Sequence, residues 1–288
     1  MKSQVISVRE INKEILEVKV EIPRNWKAGA GQFVEVTVEG FFLRRPISIC
    51  DVDGDQLTLV FKESGRGTEK LARLLKSGQI SELDIIGPFG NGFPIDEIAA
   101  LINGTNGRVY QESQGDHKNQ RNSVDDQDST QLTTKKLVLV GGGIGIPPLY
   151  QAAKEALELG LTPSIYLGFN SDGDVFYIDE FKKLGVDVVT AVMKQSMEGS
   201  WVLGSVIDAL TSEDPRQIIV CGCGPIGMLS ALEKWGHQGY LSFESRMACG
   251  YGICMGCAVK QTDGKMVRVC KEGPVFKLGQ IDLQQRFI

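Results

Sequence analysis

The sequence predicts a multidomain β plus α/β protein: an antiparallel β-barrel, a doubly wound parallel sheet, and a small cysteine-rich C-terminal unit. Three observations carry that prediction. Residues 1–98 are short, alternating apolar runs rich in Val, Ile and Phe, punctuated by Gly and Asp. Residues 137–236 alternate strand-like and helix-like runs around a Gly-rich turn. Residues 237–288 hold four of the seven cysteines.

In the first region, strands are expected at 4–8, 15–22, 33–38, 46–52 and 56–61, a spacing that suits a small antiparallel barrel. One helix is expected at 68–75, because Leu71, Leu74 and Leu75 fall on one face and Thr68 stands where an N-cap belongs. The linker follows at 99–136. Within it, 103–136 has only Val109, Tyr110, Val124 and Leu132 as sizeable apolar residues, so it reads as a mobile polar insertion that buries too little to offset its ordering entropy.

The second region predicts strands at 137–140, 165–169, 186–192 and 217–221. Helices are expected near 148–159, 179–184, 205–210 and 226–235. This βαβ alternation implies a parallel sheet with right-handed crossovers. Gly141, Gly142, Gly143 and Gly145 lie between the first strand and its helix, which begins with Pro147 and Pro148. Glycines there allow a diphosphate to approach a helix N-terminus, as in dinucleotide-binding turns, and proline is tolerated in a first helical turn. Asp172 and Asp174 follow the second strand with no Lys or Arg nearby, which favours a free ribose hydroxyl and hence NAD over NADP. Cys221 and Gly222, with Cys223-Gly224-Pro225, end the last strand at the sheet edge a nicotinamide would approach.

The net charge of −5 argues against nucleic acid as a partner, which needs a basic face. No apolar run is long enough to span a bilayer, and the charged N-terminus has no apolar signal core. A cytoplasmic location is therefore expected. An odd cysteine count in such a chain is not a disulfide framework.

Four of those cysteines, Cys249, Cys254, Cys257 and Cys270, have the spacing C-x4-C-x2-C-x12-C, which fits the plant-type [2Fe–2S] pattern. Two irons need four converging thiolates: a tight loop supplies three and a distant segment the fourth. Gly250, Gly252 and Gly256 let the backbone wrap closely and aim N–H groups at the sulfurs. The rival is a structural zinc site, which usually shows two C-x2-C pairs where this chain has one.

In the barrel, Arg45-Pro46-Ile47-Ser48 offers a cation and a hydroxyl on one strand, which suits the pyrophosphate and ring of a flavin dinucleotide. Strand alternation puts Arg45 and Ile47 on one face and Pro46 and Ser48 on the other, so a flavin either follows the strand edge or meets a locally broken alternation. Gly67 and Thr68 open the helix, where free N–H groups and the positive dipole end can meet a phosphate.

The order of barrel, nucleotide sheet and cysteine loop resembles the ferredoxin–NAD(P)+ reductase superfamily over nearly the whole chain. More narrowly it resembles the electron transfer subunits of dihydroorotate dehydrogenase B. The residues that carry this likeness are RRPISI at 44–49, GPFGNGFP at 87–94, GGGIGIPPLY at 141–150, CGCGP at 221–225 and ESRMACGYGICMGC at 244–257. The resemblance implies that Arg45, Pro46, Ile47 and Ser48 bind FAD, that Val60, Phe61 and Lys62 lie along it, and that Gly67 and Thr68 hold its pyrophosphate. It implies Cys249, Cys254, Cys257 and Cys270 as ligands of a [2Fe–2S] cluster linking FAD to FMN in a separate catalytic subunit. Two copies of each chain would make a heterotetramer. Electrons would pass from dihydroorotate, through that FMN, to NAD+, in pyrimidine biosynthesis. Two departures stand out: the length of the 103–136 insertion, and Glu198-Gly199-Ser200 where many relatives carry Asp-Gly-Ser.

No catalytic side chain is expected, since cofactors carry such chemistry and the chain has only two histidines and no evident paired carboxylates. A dihydroorotate-oxidising barrel needs about 250 residues, so that chemistry belongs to a partner. The alternatives are the α-subunit of a ferredoxin:NADP+ or sulfide-type oxidoreductase, favoured by a carboxylate among the cluster ligands, and a stand-alone NADH:acceptor reductase.

Overall fold

The computed structural model describes residues 1–104, 135–195, 199–236 and 238–285. Nearly all of the 103–136 insertion, with His117, lies outside the described residues, as do Glu198 and His237.

The barrel is built from β1 (Lys2–Glu10), β2 (Ile15–Glu21), β3 (Phe33–Val36), β4 (Arg45–Asp53), β5 (Gln56–Lys62) and β6 (Glu82–Phe89), closed in the order β1-β2-β5-β4-β3-β6. The period of two decides which side chains enter it. Leu16, Val18 and Val20 of β2, Val34 and Val36 of β3, Ile47 and Ile49 of β4, and Leu57, Leu59 and Phe61 of β5 share one buried cluster. Helix α1 (Arg66–Lys76) closes one end with Leu71, Ala72 and Leu75. Its N-cap is Gly65, not Thr68. Thr68 sits three residues in, and its hydroxyl instead accepts the N–H groups of Ser64 and Gly65, each at 3.2 Å. The closing strand β6 is a sixth strand beyond the five expected from pattern.

Helix α2 (Ile95–Ile102) leads to the nucleotide sheet: β7 (Lys136–Gly142), α3 (Pro148–Glu158), β8 (Ser164–Ser171), α4 (Ile178–Lys183), β9 (Val188–Lys194), β10 (Val202–Leu203), α5 (Val206–Ala209), β11 (Ile218–Cys223) and α6 (Ile226–Trp235). The sheet continues past residue 236. Strand β12 (Gly239–Ser242) pairs parallel with β11, and β15 (Val275–Lys277) pairs antiparallel with β12. The order is β10-β9-β8-β7-β11-β12-β15, so the direction of winding reverses between β7 and β11. Ligand crevices of open α/β sheets form at such a point, outside the carboxyl ends of the strands.

The cysteine loop lies between β12 and a small hairpin of β13 (Ala258–Lys260) and β14 (Met266–Arg268). This segment has no core of its own. Cys257, Val259, Val269, Cys270 and Phe276 join the cluster that contains Val138, Val140, Val220 and Leu229 of the nucleotide sheet. The C-terminal unit expected at 237–288 is therefore welded to the sheet by β12, β15 and a shared apolar core.

Candidate redox-cofactor sites

The first site forms where two barrel strands part. The β4–β5 ladder runs from Asp53↔Gln56 to Ile49↔Leu59 and stops there. Beyond it, Arg45–Ser48 pairs only with β3, and Val60–Lys62 only with β2. The edge of 45–48 thus faces that of 60–62 across an opened seam, where the strand-edge course anticipated for a flavin has room. The side chains divide as barrel geometry demands. Ile47 and Phe61 point into the core, so only their backbones reach the seam. Val60 is buried on the outer side with Cys50, toward the nucleotide sheet. Lys62 pairs with Glu14 at 2.9 Å.

Arg45 turns across the start of α1. Its guanidinium carbon lies 4.7 Å from the centre of the Phe41 ring, and Nη1 donates to the carbonyls of Leu43 and Arg44. A Cβ at Gly67 would overlap that guanidinium, so glycine is what brings the cation against the first turn. Helix geometry leaves the leading N–H groups of α1 without intrahelical acceptors. Arg45, Gly67 and Thr68, 23 residues apart in sequence at their extremes, therefore make one cationic cradle, as a pyrophosphate requires.

The second site is the crevice at the β7/β11 switch point. It has a volume of about 530 Å³ and is lined by Gly142, Ile144, Gly145, Gly224, Pro225 and Ile226, with Phe243 to Arg246 opposite. A Cβ at Gly145 would overlap the backbone of Cys223 and Gly224, which is how the two Gly-rich turns meet. Cys221 and Gly222, expected to bind cofactor, lie inside the sheet instead. Cys221 is fully buried and its thiol is pushed up by that burial; a Cβ on Gly222 would strike Leu241 and Leu232. Gly141 likewise packs on Ile146 and Leu149. The wall of the crevice comes from the next residues of the same motifs. Asp172 and Asp174 serve their own turn: Asp172 is buried, and Asp174 Oδ2 accepts from Ser171 N and Oγ.

The third site is the cysteine loop. Its thiols form two pairs. Cys249 Sγ accepts the N–H of Ile253 at 3.4 Å and of Cys254 at 3.5 Å, and Cys254 Sγ accepts that of Gly256 at 3.4 Å. In the other pair, Cys270 N–H donates to Cys257 Sγ at 3.4 Å. Among the described residues, no three His, Cys, Asp or Glu side chains converge on one point as a single ion would need. A binuclear cluster asks for something else, two thiolates on each of two irons, and two pairs answer that. Two of the expected glycines are sulfur-directed donors, Gly252 toward Cys270 and Gly256 toward Cys254, and Tyr251, Ile253 and Cys254 donate to Cys249. Although burial acts to raise the Cys249 thiol, those N–H groups outweigh it and hold it down at about 6. Burial and the neighbouring Cys257 push Cys270 up to about 12. Arg268 clips the loop by donating to the Gly252 carbonyl and pairing with Glu272.

Loop and barrel meet on the outer face of β3. Rings stack from Phe33 to Phe89 (6.0 Å) and from Phe89 to Tyr251 (6.3 Å). Asn91 of the 87–94 motif exchanges backbone bonds with Gly273 and Val275, and its side chain donates to the Glu272 carbonyl at 3.1 Å. Beside Phe33, Glu35 is 1% exposed, and among the described residues its Oε1 has no hydrogen-bond partner. Burial raises its carboxyl to about 7, against the opposing pull of Arg44 and Arg45. Nothing in the sequence marked Glu35, because an acidic residue at an outward strand position reads as solvent-facing.

A six-stranded antiparallel barrel beside a parallel sheet with helices defines a protein of ferredoxin reductase-like fold. Two solved structures share that fold: an NADH-dependent reduced ferredoxin-NADP oxidoreductase (TM-score 0.73, 22% identical, covering 98% of this chain and 90% of the other) and the cytochrome b5 reductase domain of Ulva prolifera nitrate reductase (TM-score 0.56, 15% identical, 84% and 96%). Residues 244–282 match the family described as the iron-sulfur cluster binding domain of dihydroorotate dehydrogenase B. The chain is 35% identical to the dihydroorotate dehydrogenase B (NAD(+)) electron transfer subunit of Lysinibacillus sphaericus, covering 98% of each chain, and 34% identical to that of Fusobacterium nucleatum, covering 88% and 87%. It belongs to the family of dihydroorotate dehydrogenase B electron transfer subunits.

Proposed function

We propose that this chain carries electrons between NAD+ and the FMN of a dihydroorotate-oxidising catalytic subunit, using its own FAD and [2Fe–2S] cluster. The observation that carries the reading is the pair of thiol pairs, Cys249/Cys254 and Cys257/Cys270, in a loop whose Cys249 end meets the barrel at Glu35, on the strand paired with the one that holds Arg45. The residues fit the groups they would hold. Arg45 and the start of α1 make a cationic cradle, the guanidinium lying where a Cβ at Gly67 would overlap it, which suits the FAD pyrophosphate. The seam between 45–48 and 60–62 suits the rest of the flavin, and backbone N–H groups already point at the sulfurs that would become thiolates. The crevice from Gly142 to Arg246 would admit the nicotinamide.

When bound, the flavin supplies the exchange between two-electron hydride and single-electron chemistry. The chain's own work is to orient and insulate. Arg45 and Gly67–Thr68 anchor the dinucleotide, Gly142, Gly145 and Gly224 keep the crevice open to the nicotinamide, and the N–H groups of Tyr251, Ile253 and Cys254 stabilise charge on Cys249. Tyr251, Ile253 and Met255 are exposed at the tip of the loop, by 51%, 75% and 47%, and we assign them to contact with the partner, in an assembly of two copies of each chain. Among the described residues no helix is long and apolar enough to cross a membrane, in keeping with a cytoplasmic complex. The four-cysteine set and the family relationship favour this reading over a ferredoxin:NADP+ or sulfide-type α-subunit.

Co-purification with an FMN protein tests the proposal. The complex should reduce NAD+ with dihydroorotate, and the catalytic subunit alone should not. A reconstituted pair, loaded with FAD, FMN and iron, that never reduces NAD+ with dihydroorotate overturns it.

A further inference from the structure

Strand β3 sends Val34 and Val36 into the barrel and Phe33 and Glu35 outward. The outward face is covered by the cysteine loop. Glu35 is cross-strand neighbour to Pro46, beside the cradle residue Arg45. On its other side lies Gly250, next in sequence to Cys249. Gly250 has φ +75, and a Cβ there would overlap the Glu35 carboxyl, so glycine is needed both for the turn and for the approach. One carboxyl thus stands between the strand assigned to the flavin and the loop assigned to the cluster.

Arg44 and Arg45 favour its ionised form, but among the described residues no cation hydrogen-bonds its Oε1. Arg44 Nη2 is bound to Asp84 at 2.8 Å and its Nη1 to the Asp84 carbonyl. Arg45 spends Nη1 on the carbonyls of Leu43 and Arg44. A buried polar atom left without a partner costs about 1–3 kcal/mol, and such exceptions in native folds concentrate where function uses them. When ionised, a carboxyl beside the Cys249 end of the loop disfavours an added electron there, since cluster potentials follow net charge and hydrogen bonding around the sulfurs.

We propose that Glu35 is a positioning residue of the electron relay: it seats the Cys249 end of the loop on the flavin barrel and lowers the potential of the cluster relative to FAD. This rests on the reading that the four cysteines hold a [2Fe–2S] cluster and the barrel holds FAD. Measuring iron, sulfide and flavin in the wild-type complex tests that reading by itself. Glu35 is then tested with Glu35→Gln and Glu35→Leu in the same complex, by redox titration followed by EPR and by flavin absorbance. In Glu35→Gln, flavin and iron contents should equal wild type. Electron partition should move roughly tenfold toward the cluster, a rise of about 59 mV for a one-electron centre, with the FAD potential unchanged. Glu35→Leu should move it in the same direction. An unchanged cluster potential and EPR spectrum in fully loaded Glu35→Gln overturns the proposal. So does loss of the cluster from Glu35→Gln, which would make Glu35 a folding residue only. If Glu35→Leu fails to load, Glu35→Gln decides alone.

Discussion

The barrel makes two junctions, and they are built on different principles. Toward the nucleotide sheet, the polar groups it buries are joined in a directed chain. The Cys50 thiol donates to the Tyr177 hydroxyl (3.2 Å), which donates to Glu17 (2.7 Å), which Arg9 grips while also holding Glu180 (2.9 Å). Helix α3 adds Gln151 and Glu155, accepting from the backbone of Val52 and Ala30, and Lys154 paired with Asp51. Tyr177 takes a left-handed conformation, φ 66, to make its contacts, a strain of order 1–3 kcal/mol that the network holds in place. Toward the cysteine loop, the contacts are stacked rings, backbone bonds at Asn91, and one carboxyl oxygen left over. The first junction fixes where two domains stand. The second places groups whose partners are not polypeptide, and the unsatisfied atom is the mark of that difference.

Substitutions that break each junction should separate these roles. The largest effect is expected from Cys254→Ser, which should abolish electron passage from dihydroorotate to NAD+ while leaving FAD bound; undiminished turnover in that variant would remove the relay. Next, Arg268→Gln frees the Gly252 carbonyl and Glu272, and iron should be lost to a chelator on the order of tenfold faster, since supports of ligand loops carry effects of that size. Gly67→Ala pushes a methyl into the Arg45 guanidinium and should weaken FAD binding roughly tenfold, or ~1.4 kcal/mol, with the iron content unchanged; flavin retention during dialysis reads this directly.

The smallest effects on the cofactors belong to the domain junction. Tyr177→Phe removes two hydrogen bonds from a buried network and should lower stability by about 1–3 kcal/mol, with the EPR spectrum of the cluster unmoved. Glu17 gives this junction its pH dependence. Burial pushes its carboxyl up, but hydrogen bonds from Arg9 and Tyr177 outweigh that and hold it below the ordinary value of 4.5. A lowered folded-state value stabilises the protein above pH 4.5, and the contribution fades as pH falls through the folded value. The gap in urea midpoint between wild type and Glu17→Gln should therefore be widest near neutrality and close in acid. A gap that widened as pH fell would contradict the network.

The sequence by itself determined the parts. Cysteine spacing marked Cys249, Cys254, Cys257 and Cys270, because cluster ligation is carried by a local loop plus one distant thiol. Apolar alternation and the Gly141–Gly145 turn marked the barrel and the parallel sheet, because a period of two and a strand-turn-helix are written in neighbouring residues. Strand β6 and helix α2 escaped that reading. Their patterns are short, and closure of a barrel is a non-local event. Only the tertiary structure decided how the parts meet. It moved Cys221 and Gly222 into the sheet and gave the crevice to Gly224, Pro225 and Phe243–Arg246. It split Arg45–Ser48 from Val60–Lys62 to open a seam, and it carried β12 and β15 across the expected boundary at residue 236. It also buried Glu35 against Gly250, 215 positions further along the chain. Periodicity says which face of a strand a side chain takes, but whether that face meets water or another part of the chain is settled by packing.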